Sequence, residues 1–193
     1  MNIQYCLLLS ALWFPLQATY EPGRYRDFIK NAQEELMILQ RINEEKIRSL
    51  EKNRAYTVKK GHEQPSLSFK QQIVPIIEGN DATLQGLRTE NSLLQEESKR
   101  LAQELSPARL ALITDTKGED LALKRAELQA SIDSLQRKAA RAQFAQAFFE
   151  KEKTYHTAQS SPGLNVLQQN WAKKKSALNV QLTREQNALR SLA

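Results

Sequence analysis

Apolar side chains recur along this chain every three and four positions. The clearest case is residues 84–105, LQGLRTENSLLQEESKRLAQEL, where Leu87, Leu94 and Leu101 fall seven apart, as do Leu84, Asn91, Ser98 and Leu105. That alternation puts all of them on one seam of a helix, the spacing at which two helices pack lengthwise. Asn91 interrupts the leucines. A buried amide in such a seam costs stability and can fix register or partner number; alternatively it meets an alanine or water at a loose layer. Leu84, Leu87, Asn91, Leu94, Leu101 and Leu105 are therefore the candidate positions for partner binding or register.

The same pattern predicts three further long helices. Tyr25, Ile29, Ala32, Leu36 and Leu39 predict one over about 24–55, its seam drifting through Ile42, Ile47 and Leu50. The period then lapses. Lys59-Lys60-Gly61-His62, Gln64-Pro65-Ser66, Pro75 and Gly79 are turn chemistry and predict a long connection over 57–80. The second helix, about 81–114, would start with Asn80 or Asp81 as its cap. Ser106-Pro107 reads as a cap followed by a first-turn proline, with the seam restarting through Ala108 and Leu112. Thr116 and Glu119 have capping-box spacing for a third helix over about 117–155. Its seam holds Leu121, Leu128, Leu135, Ala142 and Phe149, alternating with Arg125, Ile132, Ala139 and Gln146. The short turn between them makes these two helices an antiparallel hairpin. Centred near Thr116, it sets Leu112 against Leu121, Leu101 against Ile132 and Asn91 against Ala142. Ser161-Pro162 caps a last helix over about 162–191, with Leu164, Trp171, Leu178, Leu182, Leu189 and Leu192 on its apolar side. The expected fold is all-α: an elongated helical bundle, or an antiparallel coiled-coil hairpin with two flanking long helices, forming one domain over 19–193.

Composition agrees with this and adds an address. With only six glycines, six prolines and 7% aromatics in 193 residues, the chain has material for narrow seams and little for a thick core. Cys6 to Leu16 is an apolar run too short to span a bilayer and suited to a secretory signal peptide over 1–18, cleaved after Ala18. No Lys or Arg precedes it, and Leu16 is bulky for the cleavage site, so an uncleaved start and a cytoplasmic location are the alternative. Cys6 is the sole cysteine, which rules out an internal disulfide.

The formal charge is +6, unevenly spread: four basic and seven acidic residues from His62 to Ser106, five and one from Ser161 to Ala193. Acidic and basic segments facing each other within one bundle is the simplest account. Trp171 with Lys173, Lys174 and Lys175 could instead contact an anionic surface, though a single lysine triplet ranks membrane and nucleic acid behind a protein partner. Phe144, Phe148, Phe149 and Tyr155 form an aromatic cluster suited to packing under the 57–80 connection.

Catalytic equipment is sparse. His62 and His156 are the only histidines, both in turn-like segments, and no HExxH, phosphate-cradling glycine loop or GxSxG elbow occurs. The expectation is a non-enzymatic protein without cofactor or metal, acting by contact. It would be a subunit of an exported envelope or secretion assembly, or a periplasmic chaperone; the alternatives are an intracellular scaffold or secretion stalk, and a lipid- or nucleic-acid-binding basic bundle. The partner would be another protein or a second copy of the chain.

Overall fold

The computed structural model describes residues 20–63, 67–155 and 161–192. The expected signal segment 1–18 and His156 lie outside these described residues. Every regular element among them is helical: α1 (Gly23–Glu63), α2 (Leu67–Glu104), α3 (Pro107–Leu110), α4 (Thr116–Tyr155) and α5 (Ser161–Arg190). The protein is an all-α helical bundle. None of these helices is long and apolar enough to cross a membrane.

The long helices alternate in direction. Gly61 lies against Ile73, Arg54 bonds Asp81, Arg88 bonds Glu51, and Tyr25 bonds Glu104, so α2 runs back along α1. Phe148 stands at Gly79, Phe144 at Gly86, Arg141 at Glu90, and Asp133 at Arg100, so α4 runs back along α2. This alignment is close to the one the turn near Thr116 predicts, with Leu101 and Ile132 both buried. α5 returns along α4, and Arg125 of α4 donates to the Leu192 carbonyl just past its end.

The leucine seam of α2 reads as the organising element, yet α4 is the helix that meets all three other long helices, while α5 packs on α4 alone among the described residues. Small side chains explain this. Ala122 and Ala126 of α4 pack against the buried cluster of Tyr25, Ile29, Leu36, Leu94, Leu101 and Ile113. Farther along, Ala142 is fully buried, beyond Ile132 and Leu135.

Several local expectations are corrected. The connection expected over 57–80 is helix on both sides of 64–66, so His62 sits in the last turn of α1, and Asp81 is not a cap but the mid-helix partner of Arg54. Pro75 and Gly79 both lie inside α2. An interior proline costs a helix about 3 kcal/mol. Here Ile73 is buried against α1, and the Phe148 ring fills the space beside Gly79, so tertiary packing overrides the two breakers.

α2 ends at Glu104, well before 114, because Ser106 caps the separate turn α3 by accepting from the Arg109 N–H at 3.3 Å. The seam does not continue through Leu112, which is 70% exposed; Ile113 is buried instead. Leu121, its expected partner, is also exposed. The cap of α4 is Asp115, accepting from the Gly118 N–H at 2.6 Å, and not Thr116. Glu119, the other half of the expected capping box, is buried and points away from its own helix to the start of α1. There it accepts from the Tyr25 N–H at 3.1 Å and from the Tyr20 hydroxyl. A helix N-terminus leaves unpaired N–H groups, and here another helix supplies the acceptor. In α1 the seam passes through Asn43, 2% exposed, and leaves Ile42 facing outward at 41%.

Candidate interaction groove

α1 meets α4 near Tyr25 and Glu119, but around Lys46–Leu50 the two helices stand on opposite sides of a groove of about 670 Å³. α1 supplies Lys46, Ser49 and Leu50; α2 supplies Ala82, Thr83, Gly86 and Leu87; α4 supplies Phe144, Ala145, Phe148 and Phe149; and Trp171 of α5 closes one edge. Two glycines set the depth of the α2–α4 floor. A Cβ on Gly86 would meet Phe144 at 3.1 Å, and one on Gly79 would meet Phe148 at 2.6 Å. Phe148 then meets Phe149 edge to face, ring centroids 5.3 Å apart. The aromatic cluster legible in the sequence is thus packed on α2 itself, in part of the stretch expected to be a connection. The side chain of Tyr155 lies outside the described residues.

Beside the groove, α2 and α4 are joined by matched charges. Arg141 binds both oxygens of the buried Glu90, Nε at 2.7 Å; Arg137 pairs with the buried Glu97; and Arg100 reaches Asp133 at 3.1 Å, which also accepts from Gln129 at 3.0 Å. Glu90, Glu97 and Glu104 form one flank of α2, and all three turn inward to meet partners. Burial pushes the Glu97 carboxyl up to about 7, Arg137 opposing the shift and Asp133 reinforcing it. Burial also pushes Glu104 upward, but bonds from Tyr25 and Arg109 outweigh it and hold the group below its ordinary value. Glu119 is lowered by the bonds it accepts from the Tyr20 hydroxyl and the Tyr25 N–H. Burial and the bond to Glu104 raise the Tyr25 phenol. Inside the groove lining, Glu90 is neutralised by Arg141, and Lys46 carries the charge that no ion pair among the described residues offsets.

Of the seam positions singled out from sequence, Leu84, Leu94 and Leu101 are buried, and Leu87, Asn91 and Leu105 are half-buried. Leu94 and Leu101 belong to the core, whereas Leu87 lines the groove. Asn91 keeps a buried Oδ1 without a hydrogen-bond partner, and Asn43 a buried Nδ2 in the same condition. Asn43 escapes a reading that follows Ile42, although it falls seven after Leu36 and fourteen after Ile29 in the same register. Trp171 is half-buried on the groove side, with Lys174 Nζ 4.7 Å above its ring; Lys173 is exposed and Lys175 half-buried. The structure groups Trp171 with Phe148 and Phe149 rather than presenting it outward with the lysines. No cluster of three or more metal-ligating side chains occurs among the described residues.

No protein-family model matches the chain, and no curated protein or solved structure matches it significantly.

Proposed function

We propose that this chain is a non-enzymatic protein that works by contact, holding a protein partner in the groove walled by α1, α2, α4 and α5. The observation that carries the reading is the groove: an open, largely apolar trough beside long helices, with aromatic side chains at its floor and edge. Apolar surface of this kind favours a partner that covers it. The non-enzymatic part rests on the sequence, which offers two histidines and no nucleophile motif. Export as a component of an envelope or secretion assembly, or as a periplasmic chaperone, rests on the apolar run from Cys6 to Leu16.

Two experiments test these parts separately. A photo-crosslinking residue at Ser49, on the groove wall, should capture one discrete protein in the native cell, whereas the same residue at Val180, 70% exposed on α5, should not. Equal capture at both sites, or none at Ser49, removes the contact reading. N-terminal sequencing of the native protein should begin at Thr19; an intact Met1 removes export and leaves the groove untouched.

A further inference from the structure

We infer that the groove receives an amphipathic helix with acidic flanks, contributed by another protein. The inference rests on the contact reading above and adds the chemistry of the partner. Shape comes first. On α1, Ile38 and Ile42 are 57% and 41% exposed, and Lys46 and Ser49 of the groove wall follow at the same four-and-three spacing. This row carries one face of α1 onward from the groove lining, spanning about three turns, some 16 Å at 1.5 Å per residue. A helix laying side chains at three-four spacing into a groove matches such a row, while a compact ligand would leave Ile38 and Ile42 uncovered.

Charge then selects the flanks. Among the described residues Glu90 is the groove's one acidic lining residue, and Arg141 holds both of its oxygens. Lys46 is left on one wall, and Lys174, outside the lining itself, stands over the ring of Trp171 that forms the opposite edge. A helix with acids beside its apolar stripe would meet a cation on each side. A second copy of this chain would offer no such flank from α2, whose Glu90, Glu97 and Glu104 already turn inward to partners of their own.

The test uses the full chain and three labelled 21-residue peptides bridged by lactams so that they are helical when free. One carries leucines at three-four spacing flanked by glutamates, the second has lysines in place of the glutamates, and the third has the first peptide's composition with no apolar stripe. Fluorescence anisotropy should give at least tenfold tighter binding for the acidic peptide than for either of the others. Ala145→Trp, which fills the groove, should weaken it at least tenfold, as should Ser49→Trp, an exposed position whose substitution leaves folding intact by circular dichroism. Lys46→Glu should narrow the preference for acid over base at least threefold.

Equal affinity for acidic and basic peptides overturns the inference, as does binding indifferent to both tryptophan variants. A dimer in sedimentation that Ala145→Trp returns to monomer would make a second copy the occupant. Binding to phosphatidylglycerol vesicles lost in the same variant would make it a lipid surface. Failure of all three peptides alongside a discrete Ser49 crosslink overturns the acidic helix and spares the contact reading; failure of both removes both.

Discussion

Asn43 and Asn91 lie on the facing seams of α1 and α2, one offering a buried donor and the other a buried acceptor, neither of them used. A buried polar atom left unpaired costs about 1–3 kcal/mol, whereas replacing both partners with apolar groups can be neutral or stabilising. Asn43→Leu with Asn91→Leu should therefore raise stability by about 1–2 kcal/mol, or several degrees in Tm for a chain of this size. A drop in Tm would mean that the amides bond each other in solution. The carboxylates give a second test, with opposite signs at two sites. Glu97 binds its proton more tightly folded than unfolded, so stability falls as pH rises from the ordinary carboxylate range through about 7. Glu119 binds its proton less tightly when folded, so the stability it adds is present above the ordinary range and lost as pH falls through its lowered value. Urea unfolding from about pH 2 to 8 should show Glu97→Gln flattening the decline toward neutral pH, and Glu119→Gln removing part of the loss in acid. Slopes that match the parent's in both variants would contradict these assignments.

Between helices, glycines do different jobs according to what faces them. Gly61 has room: a Cβ there would sit 3.7 Å from Ile73, ordinary contact, so Gly61→Ala should stabilise by the helix propensity gained, roughly 0.5–1 kcal/mol. Gly79 has none, because the Phe148 ring lies 2.6 Å from where the Cβ would stand. Gly79→Ala should destabilise by about 1–3 kcal/mol despite the better propensity, and adding Phe148→Leu should recover much of the loss. Denaturation midpoints for the three variants check this; an equal gain at Gly61 and Gly79 would remove the close approach of α2 and α4. These two positions also show what the sequence can carry. The seams of α2, α4 and α5 are legible because periodicity is local, and so is the Ser106-Pro107 restart. Gly79 and Pro75 read as breakers because their compensation, Phe148 and the burial of Ile73, comes from outside α2. Glu119 reads as a cap for its own helix because nothing local says that it caps α1, ninety-four residues back in sequence at Tyr25. The groove was equally hidden: its aromatics and Trp171 are visible in sequence, but their meeting depends on how four helices align.

Across the whole molecule, attachment is uneven. α1, α2 and α4 share a core, and Glu90–Arg141, Glu97–Arg137 and Arg100–Asp133 tie α2 to α4, so the acidic flank of α2 is matched within the bundle. Among the described residues α5 packs on α4 alone, none of its described side chains is fully buried, and Val166 and Val180 face outward. Segments with few buried contacts open at lower free energy than the core. Hydrogen exchange should therefore report α5 as the least protected long helix, its amides over 165–190 exchanging at least tenfold faster than those over 84–104 and 126–145. Because Trp171 forms one edge of the groove, opening of α5 and occupancy of the groove are linked. An occupant that binds only with α5 in place stabilises that arrangement by mass action. Saturation with the acidic helical peptide should then slow exchange around Trp171 while leaving 126–135, far from the groove, unchanged. Uniform protection across α2, α4 and α5 in the free protein would show α5 to be an integral member of the core, and the groove a fixed cleft with no movable wall.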